Sequence, residues 1–185
     1  MHAFSTIMTG LTDEELFTRL LEQHGGIIRK VAFGYTSRAA DREDLAQEIT
    51  IQLWRAYPRY SPERPFSTWM YRIALNVAIS FLRRHTHPSR QTISLEESAI
   101  EPIDQNIAAA EPDQRIAILQ RVIATLAPLD RALMLLYLDD HTYREIAAIL
   151  GIAETNVGTK LSRLKQHLRQ QLTTNTNNDA NRYSR

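Results

Sequence analysis

The chain contains no cysteine. That excludes a disulfide framework and a thiolate metal site, and it fits a reducing compartment. No stretch approaches the roughly 18 continuous apolar residues of a membrane span, so membrane insertion is not expected. The opening residues, MHAFSTIMTG, lack a basic segment followed by an apolar core. No signal peptide is therefore expected, and the cytoplasm is the default location. Glycine is scarce, with six in the chain, and none belongs to a phosphate-cradling loop. The six histidines are scattered, and no nucleophile-base pair stands out. Asp139-Asp140-His141 could suggest a metal site, but no other ligand is placed with it. It reads as a solvated turn before a helix. The expectation is a protein that is not an enzyme and needs neither metal nor cofactor.

What is present is ordinary in bulk and uneven in distribution. The 185 residues are 43% hydrophobic and 23% charged, which suits one soluble globular domain or two small ones. The net charge of +1 conceals three blocks. Residues 1–87 carry 11 Lys/Arg against 9 Asp/Glu, residues 88–114 carry 1 against 6, and residues 115–185 carry 10 against 6. Two mildly basic blocks thus flank an acidic connector. Basic blocks fit polyanionic partners, although ordinary surface charge gives the same numbers.

The periodicity is helical throughout, with no convincing strand. Leu16, Leu20, Ile27, Ile28 and Val31 recur at helical spacing between Leu11 and Tyr35, with Gly25-Gly26 as an interruption. A second helix, Asp41 to Tyr57, opens with acids and is ended by Pro58. Leu45, Ile49, Leu53 and Ala56 form its apolar stripe. After the loop PRYSPERP, a third helix starts near Ser67 and runs to about Arg84. From His85 to about Pro112 the chain is polar, acidic and proline-bearing, as a linker should be. Helices resume near Asp113 and continue to Leu172, and the tail TTNTNNDANRYSR has the composition of a disordered segment. The fold class expected is all-α, two small helical domains on a flexible tether.

The C-terminal segment HTYREIAAILGIAETNVGTKLSRLKQHLRQQL carries the strongest local pattern. Thr142 and Glu145 have capping-box spacing, so a helix should start there. Ile146, Ala147, Ile149 and Leu150 give it a buried side, and Gly151 supplies a tight turn. A further helix starts near Glu154 with Val157, Leu161, Leu164, Leu168 and Leu172 turned inward. Helix, glycine turn, helix is the helix-turn-helix pattern. Asn156, Thr159, Lys160, Arg163, His167 and Gln170 share the opposite face. Such side chains suit base edges and phosphates; a solvated amphipathic helix is the plainer alternative. Gly158 should cost about 1 kcal/mol relative to alanine. Close approach of a phosphate backbone or tight helix packing would each account for it.

The N-terminal half has its own mixture. On the helix near Ser67, one side is Phe66, Met70, Ile73, Val77 and Phe81, and another is Tyr71, Leu75, Ala78 and Leu82. Between them runs a seam of Arg72, Asn76, Ile79 and Arg83, with Trp69 on its border. Arginine beside aromatic rings is a recipe for holding unstacked bases. Tyr71 reads as core, and Trp69 fits either role. On the preceding helix Asp44, Gln47, Glu48, Ile51 and Arg55 face outward together. Acids beside an exposed isoleucine could dock a basic, partly apolar partner, or simply be solvated.

These residues resemble a known family. DREDLAQEITIQLWRAY followed by PFSTWMYRIALNVA is similar to region 2 of bacterial sigma factors of the extracytoplasmic-function (ECF) group. LDRALMLLYLDDHTYREIAAILGIAETNVGTKLSRLKQHL is similar to their region 4. The resemblance divides the chain into region 2 at 11–86, a flexible acidic linker at 87–112, region 4 at 113–172 with its helix-turn-helix at about 142–170, and a disordered tail at 173–185. It implies core RNA polymerase as partner, through the β′ clamp helices and the β flap, together with promoter DNA as duplex and melted strand. It also implies an anti-sigma factor. The family pattern D-x-x-Q-E falls on Asp44, Gln47 and Glu48, so the acidic face would dock on polymerase, with Ile51 and Arg55 beside it. Minus-ten recognition and melting would fall to Tyr60, Arg64, Trp69, Arg72, Asn76, Arg83 and Arg84. Minus-thirty-five recognition would fall to Asn156, Thr159, Lys160, Arg163 and His167. Three departures stand out: Ser80 where the family often has aspartate, Asn156-Val157-Gly158 in the recognition helix, and Leu126-Ala127-Pro128-Leu129 for the usual leucine-proline. A conventional helix-turn-helix regulator that acts without polymerase is the alternative, and an enzyme or purely structural helical protein is the more remote one.

Overall fold

The computed structural model describes residues 12–86 and 123–182, with side chains for 12–85 and 123–170. Every regular element among them is helical. Helix α1 spans Asp13–His24 and is started by a capping box that the sequence reading passed over. Thr12 Oγ1 accepts from the Glu15 N–H at 3.3 Å, and the Glu15 carboxylate accepts from the Thr12 N–H at 2.8 Å. The glycine pair interrupts the helix as expected: α1 stops at Gly25 and α2 spans Gly26–Tyr35. Helix α3 spans Ala39–Ala56, beginning two residues before the expected Asp41. Pro58 falls in a single 3-10 turn, Tyr57–Arg59, because it has no N–H to continue the α-helical ladder. Helix α4 spans Phe66–Thr86.

The second half contains α5, Pro128–Leu138, α6, Tyr143–Leu150, and α7, Glu154–Arg182. Pro128 starts α5 at a position where its missing N–H costs nothing. Helix α7 departs from expectation at its far end. The sequence pattern predicts its end at Leu172 and disorder over 173–185, whereas the backbone is helical through Arg182. Extending an existing helix adds a hydrogen bond per residue without a new nucleus, and residues 173–182 contain neither proline nor glycine. The expected linker at 87–112 and the helix expected from Asp113 lie outside the described residues up to Ile123.

The core follows the apolar stripes. Leu45, Ile49 and Leu53 of α3 are fully buried against Val31 and Ala32 of α2 and Met70 and Ala74 of α4. In the second half Leu133 and Leu136 of α5, Ile146 and Ile149 of α6, and Val157 and Leu161 of α7 are buried together. Each such leucine or isoleucine contributes about 1.5–3 kcal/mol by leaving water. On α4, Ala78 and Leu75 are as buried as Met70, so both apolar sides are covered.

The second cover comes from the other half of the chain. Helix α4 packs against α5 and α6, and α2 packs against α5. Leu135 lies so close to Gly34 that a Cβ there would stand 2.7 Å from Leu135 Cδ1. The Tyr35 hydroxyl donates to the Pro128 carbonyl at 2.6 Å. Arg131, 7% exposed, donates from Nη1 to the Gly34 carbonyl at 3.4 Å, with its guanidinium 5.4 Å from the Tyr35 ring centre. Asp139 accepts from Lys30 through one carboxylate oxygen and from the Tyr71 hydroxyl through the other.

Candidate polymerase and nucleic-acid interface

Three surfaces hold the residues singled out from sequence. The first is the outward face of α3. Its burial of Leu45, Ile49 and Leu53 leaves Asp44, Gln47, Ile51 and Arg55 exposed. Ile51 is 50% exposed, and Trp54, one helical turn on, is 45% exposed. Trp54 was missed in the sequence reading. It sits three residues beyond Ile51 and seven beyond Gln47, spacings that share a helix face, and that signal was available. Its ring meets Phe17 edge-on at 5.1 Å between centroids, which fixes it in place while leaving a face open. Glu48 is the exception on this surface. Both its carboxylate oxygens accept from Arg84 Nη2 of α4 at 2.7 Å. An acid expected to face polymerase is thus paired with a cation expected to face DNA.

The second surface is the start of α4 and the loop before it. Tyr60 donates its hydroxyl to the Arg64 carbonyl at 2.9 Å, and the Arg64 N–H returns to the Ser61 carbonyl at 3.2 Å. The loop is therefore closed on itself, with Arg64 exposed at its tip. Trp69 packs 5.2 Å from both Tyr60 and Phe66, and Tyr60 lies 6.1 Å from Tyr57 in a stacked arrangement. Trp69 is half-buried in this aromatic group, which reconciles the two roles left open for it. Burial lifts the Tyr60 hydroxyl above the usual phenol range, so it stays a neutral donor. Arg72, Asn76 and Arg83 are exposed in one row along α4. Tyr71 is 2% exposed and belongs to the packed side, as expected.

The third surface is the helix-turn-helix. Thr142 and Glu145 form the anticipated capping box: the Glu145 carboxylate accepts from the Thr142 N–H at 2.8 Å and from its hydroxyl at 2.7 Å. The Thr142 bonds hold the Glu145 carboxyl below its ordinary range. Gly151 takes φ 68°, the left-handed conformation that glycine adopts without a Cβ penalty. Its N–H closes onto the Ala147 carbonyl at 2.9 Å. On α7, Asn156, Thr159, Arg163 and His167 are exposed along one face. Lys160 is drawn aside, 3.5 Å from Asp130 of α5, and the Thr159 hydroxyl donates to the Thr155 carbonyl at 3.0 Å. A Cβ on Gly158 would lie 3.7 Å from the Tyr143 ring, an ordinary contact, so helix packing does not demand glycine there. Among the described residues no cluster of three or more potential ligands could hold a metal, and no helix is long and apolar enough to cross a membrane.

Comparison with known proteins matches two stretches of the chain to named regions. Residues 20–87 match the family described as Sigma-70 region 2, and residues 116–168 match Sigma-70, region 4. The chain belongs to the ECF group of sigma-70 factors. An ECF relative, SigE of Mycolicibacterium smegmatis, is 29% identical over 155 residues, covering 83% of this chain and 60% of that protein. The sigma factor CnrH of Cupriavidus metallidurans is 26% identical over 165 residues, covering 84% of this chain and 86% of that one. The fold matches the sigma factor RpoE of Bartonella quintana, solved with the anti-sigma factor NepR, at a TM-score of 0.66 and 20% identity, over 85% of this chain and 96% of that one. It also matches CnrH solved with the cytosolic domain of CnrY, at 0.60 and 21%, over 90% of each. The all-helical sigma fold expected from sequence is therefore the one present. The region 2 match begins within α1 and runs through α4, and the region 4 match takes in α5, α6 and α7 as far as residue 168.

Proposed function

We infer that the protein is a sigma factor that binds core RNA polymerase and directs promoter-specific initiation. The observation that carries this is the presence of region 2 and region 4, in that order, on one chain. Region 2 also disfavours a conventional helix-turn-helix regulator, which has no use for a polymerase-docking helix. The activity belongs in the cytoplasm, where core polymerase and promoter DNA meet.

We assign polymerase docking to the exposed face of α3: Asp44, Gln47, Glu48, Ile51 and Arg55, with Trp54 added as an aromatic anchor. Charged and apolar groups on one face suit a basic, partly apolar helical surface such as the β′ clamp helices. Minus-ten recognition falls to Tyr60, Arg64, Trp69, Arg72, Asn76, Arg83 and Arg84. There a flipped base costs a few kcal/mol to unpair, and stacking of about 1–3 kcal/mol per base offsets it. Minus-thirty-five recognition falls to Asn156, Thr159, Lys160, Arg163 and His167 through the major groove. This chain supplies binding and strand capture, while polymerase supplies the synthesis chemistry. An anti-sigma partner would act by covering these surfaces.

Mixing the purified chain with core polymerase tests the docking assignment. A stable complex that Asp44→Lys or Gln47→Ala weakens is expected. Equal complex formation by all three proteins would remove α3 as the docking face.

A further inference from the structure

The region 2 match begins at residue 20, so Phe17 of α1 lies ahead of it. Phe17 is nonetheless the buried side chain of α1, at 5% exposure. Its ring is wedged between two others. It meets Trp54 edge-on at 5.1 Å and Tyr57 edge-on at 5.0 Å, with interplanar angles of 62° and 61°. Trp54 and Tyr57 flank the point where α3 gives way to the 3-10 turn Tyr57–Arg59. Pro58 has no N–H to carry the helical ladder across that point, and the last carbonyls of a helix lack partners within it. A ring from another helix, packed at the junction, supplies tertiary support where the ladder ends.

Trp54 is 45% exposed, beside Ile51 on the face assigned to polymerase docking. A half-exposed side chain that is free to change rotamer loses that freedom on binding, and affinity falls accordingly. Among the described residues, Phe17 is the ring in contact with Trp54. Phe17 is itself held on its other side. Tyr57 stacks on Tyr60 at 6.1 Å and meets Trp69 at 6.5 Å, so it is anchored in the aromatic group at the start of α4. Helix α1 is fixed at its first turn by the Thr12–Glu15 capping box. With 5% of its surface exposed, Phe17 has almost nothing to offer a partner directly. Any effect it has on binding must pass through a neighbour.

We propose that Phe17 is a positioning residue for polymerase binding: its ring orients Trp54 before the enzyme arrives. The polymerase side of this rests on the docking reading of α3. The orientation of Trp54 stands on contacts within the chain. The first turns of α1, outside the region 2 match, thereby serve the docking face on α3.

The chain has two tryptophans, Trp54 and Trp69, which makes the test direct. Trp69→Phe leaves Trp54 as the single emitter in the full-length chain. Adding Phe17→Leu keeps apolar bulk and removes the ring edge. It should lower the fluorescence anisotropy of Trp54 and weaken its near-ultraviolet circular dichroism, with the helix signal unaltered. Phe17→Tyr keeps the ring and should leave both signals as in the parent. With Trp69 intact, Phe17→Leu should raise the Kd for core polymerase about threefold to tenfold, the range of a lost edge-to-face pair. Phe17→Tyr should bind like the parent. In a Trp54→Ala background the leucine substitution should change Kd by less than about twofold, because no ring is left to orient. Phe17→Met is read by the same criteria should leucine lower the helix signal. An unchanged Trp54 signal in Phe17→Leu, or an equal loss of affinity with and without Trp54, would overturn the positioning role. Full affinity in Trp54→Ala, with Trp54 loosened by Phe17→Leu, would instead overturn Trp54 as a docking anchor, and the role of Phe17 in binding with it.

Discussion

Replacing Glu48 by glutamine separates docking from folding, because the structure ties this residue to a contact whose worth can be bounded. Glu48 and Arg84 are 31% and 55% exposed in their side chains, and a single nitrogen serves both carboxylate oxygens. A solvent-screened pair of this kind stabilises by ~0.2–1 kcal/mol. For a chain of this length, that corresponds to a melting shift of about 2–4 °C at most. Polymerase affinity should respond on another scale. Removing one charge from a desolvated interfacial pair costs ~2–5 kcal/mol, or about 30-fold and upward in Kd. Arg84→Gln breaks the same contact from the other side and supplies the control. It should lose the same few degrees, keep its affinity for core polymerase, and bind promoter DNA less well once in the complex. Thermal melts and titration of labelled chain with core polymerase at fixed salt read both quantities. Glu48→Gln binding within about twofold of the parent, or equal affinity losses in the two variants, would refute the reasoning.

Trp69→Ala and Asn76→Ala should impair promoter opening more than closed-complex binding, as read by permanganate reactivity against filter retention. Equal losses would mean a folding role. Arg163→Ala should weaken binding to upstream duplex and reduce its salt slope by about 1; an unchanged slope would move this residue off the phosphate and base contacts. Gly158→Ala should stabilise the protein by up to about 1 kcal/mol, since the methyl group meets the Tyr143 ring at ordinary distance. Unaltered duplex affinity in that variant would exclude close DNA approach as the reason for the glycine. The pH dependence of the contact between the two halves follows from Asp139, which accepts from Lys30 and Tyr71. Burial pushes its carboxyl up, but donation from Lys30 and Tyr71, the Lys30 charge and nearby His141 together hold it below the usual range. A lowered value means that its stabilising contribution is complete above the unperturbed value, about pH 4, and is lost as pH falls through the lowered one. The thermal stability that this contact contributes should therefore stay level from about pH 8 to pH 5, and a melting temperature that tracked Asp139→Asn over that interval would contradict the assignment.

The parts of this molecule legible in sequence were those set by local periodicity. The stripe of Leu45, Ile49 and Leu53 is fully buried, and the two apolar sides of α4 are both covered. The Thr142–Glu145 capping box and the Gly151 turn stand where their spacing placed them, because caps and left-handed turns depend on four or five consecutive residues. What lay beyond reach were contacts between residues far apart in the chain. Asp139 read as part of a solvated turn, yet Lys30 and Tyr71, distant in sequence, make it the joint between two halves. Tyr71 was correctly read as a packing residue, but what it packs against was not visible. Glu48 and Arg84 were assigned to different partners, and nothing in their spacing showed that they meet. Trp54 was readable in principle, since it continues the exposed face of Ile51, but a lone tryptophan beside a buried stripe is easily counted as core.

The central claim is that this chain gives polymerase its choice of promoter. Run-off transcription with core polymerase and a library of promoter fragments measures that directly. The account predicts discrete transcripts from a subset of fragments sharing upstream and downstream elements, present only when the chain is added, and lost with Trp69→Ala or Arg163→Ala. Binding of the chain to duplex fragments with no dependence of transcription on its presence would contradict it.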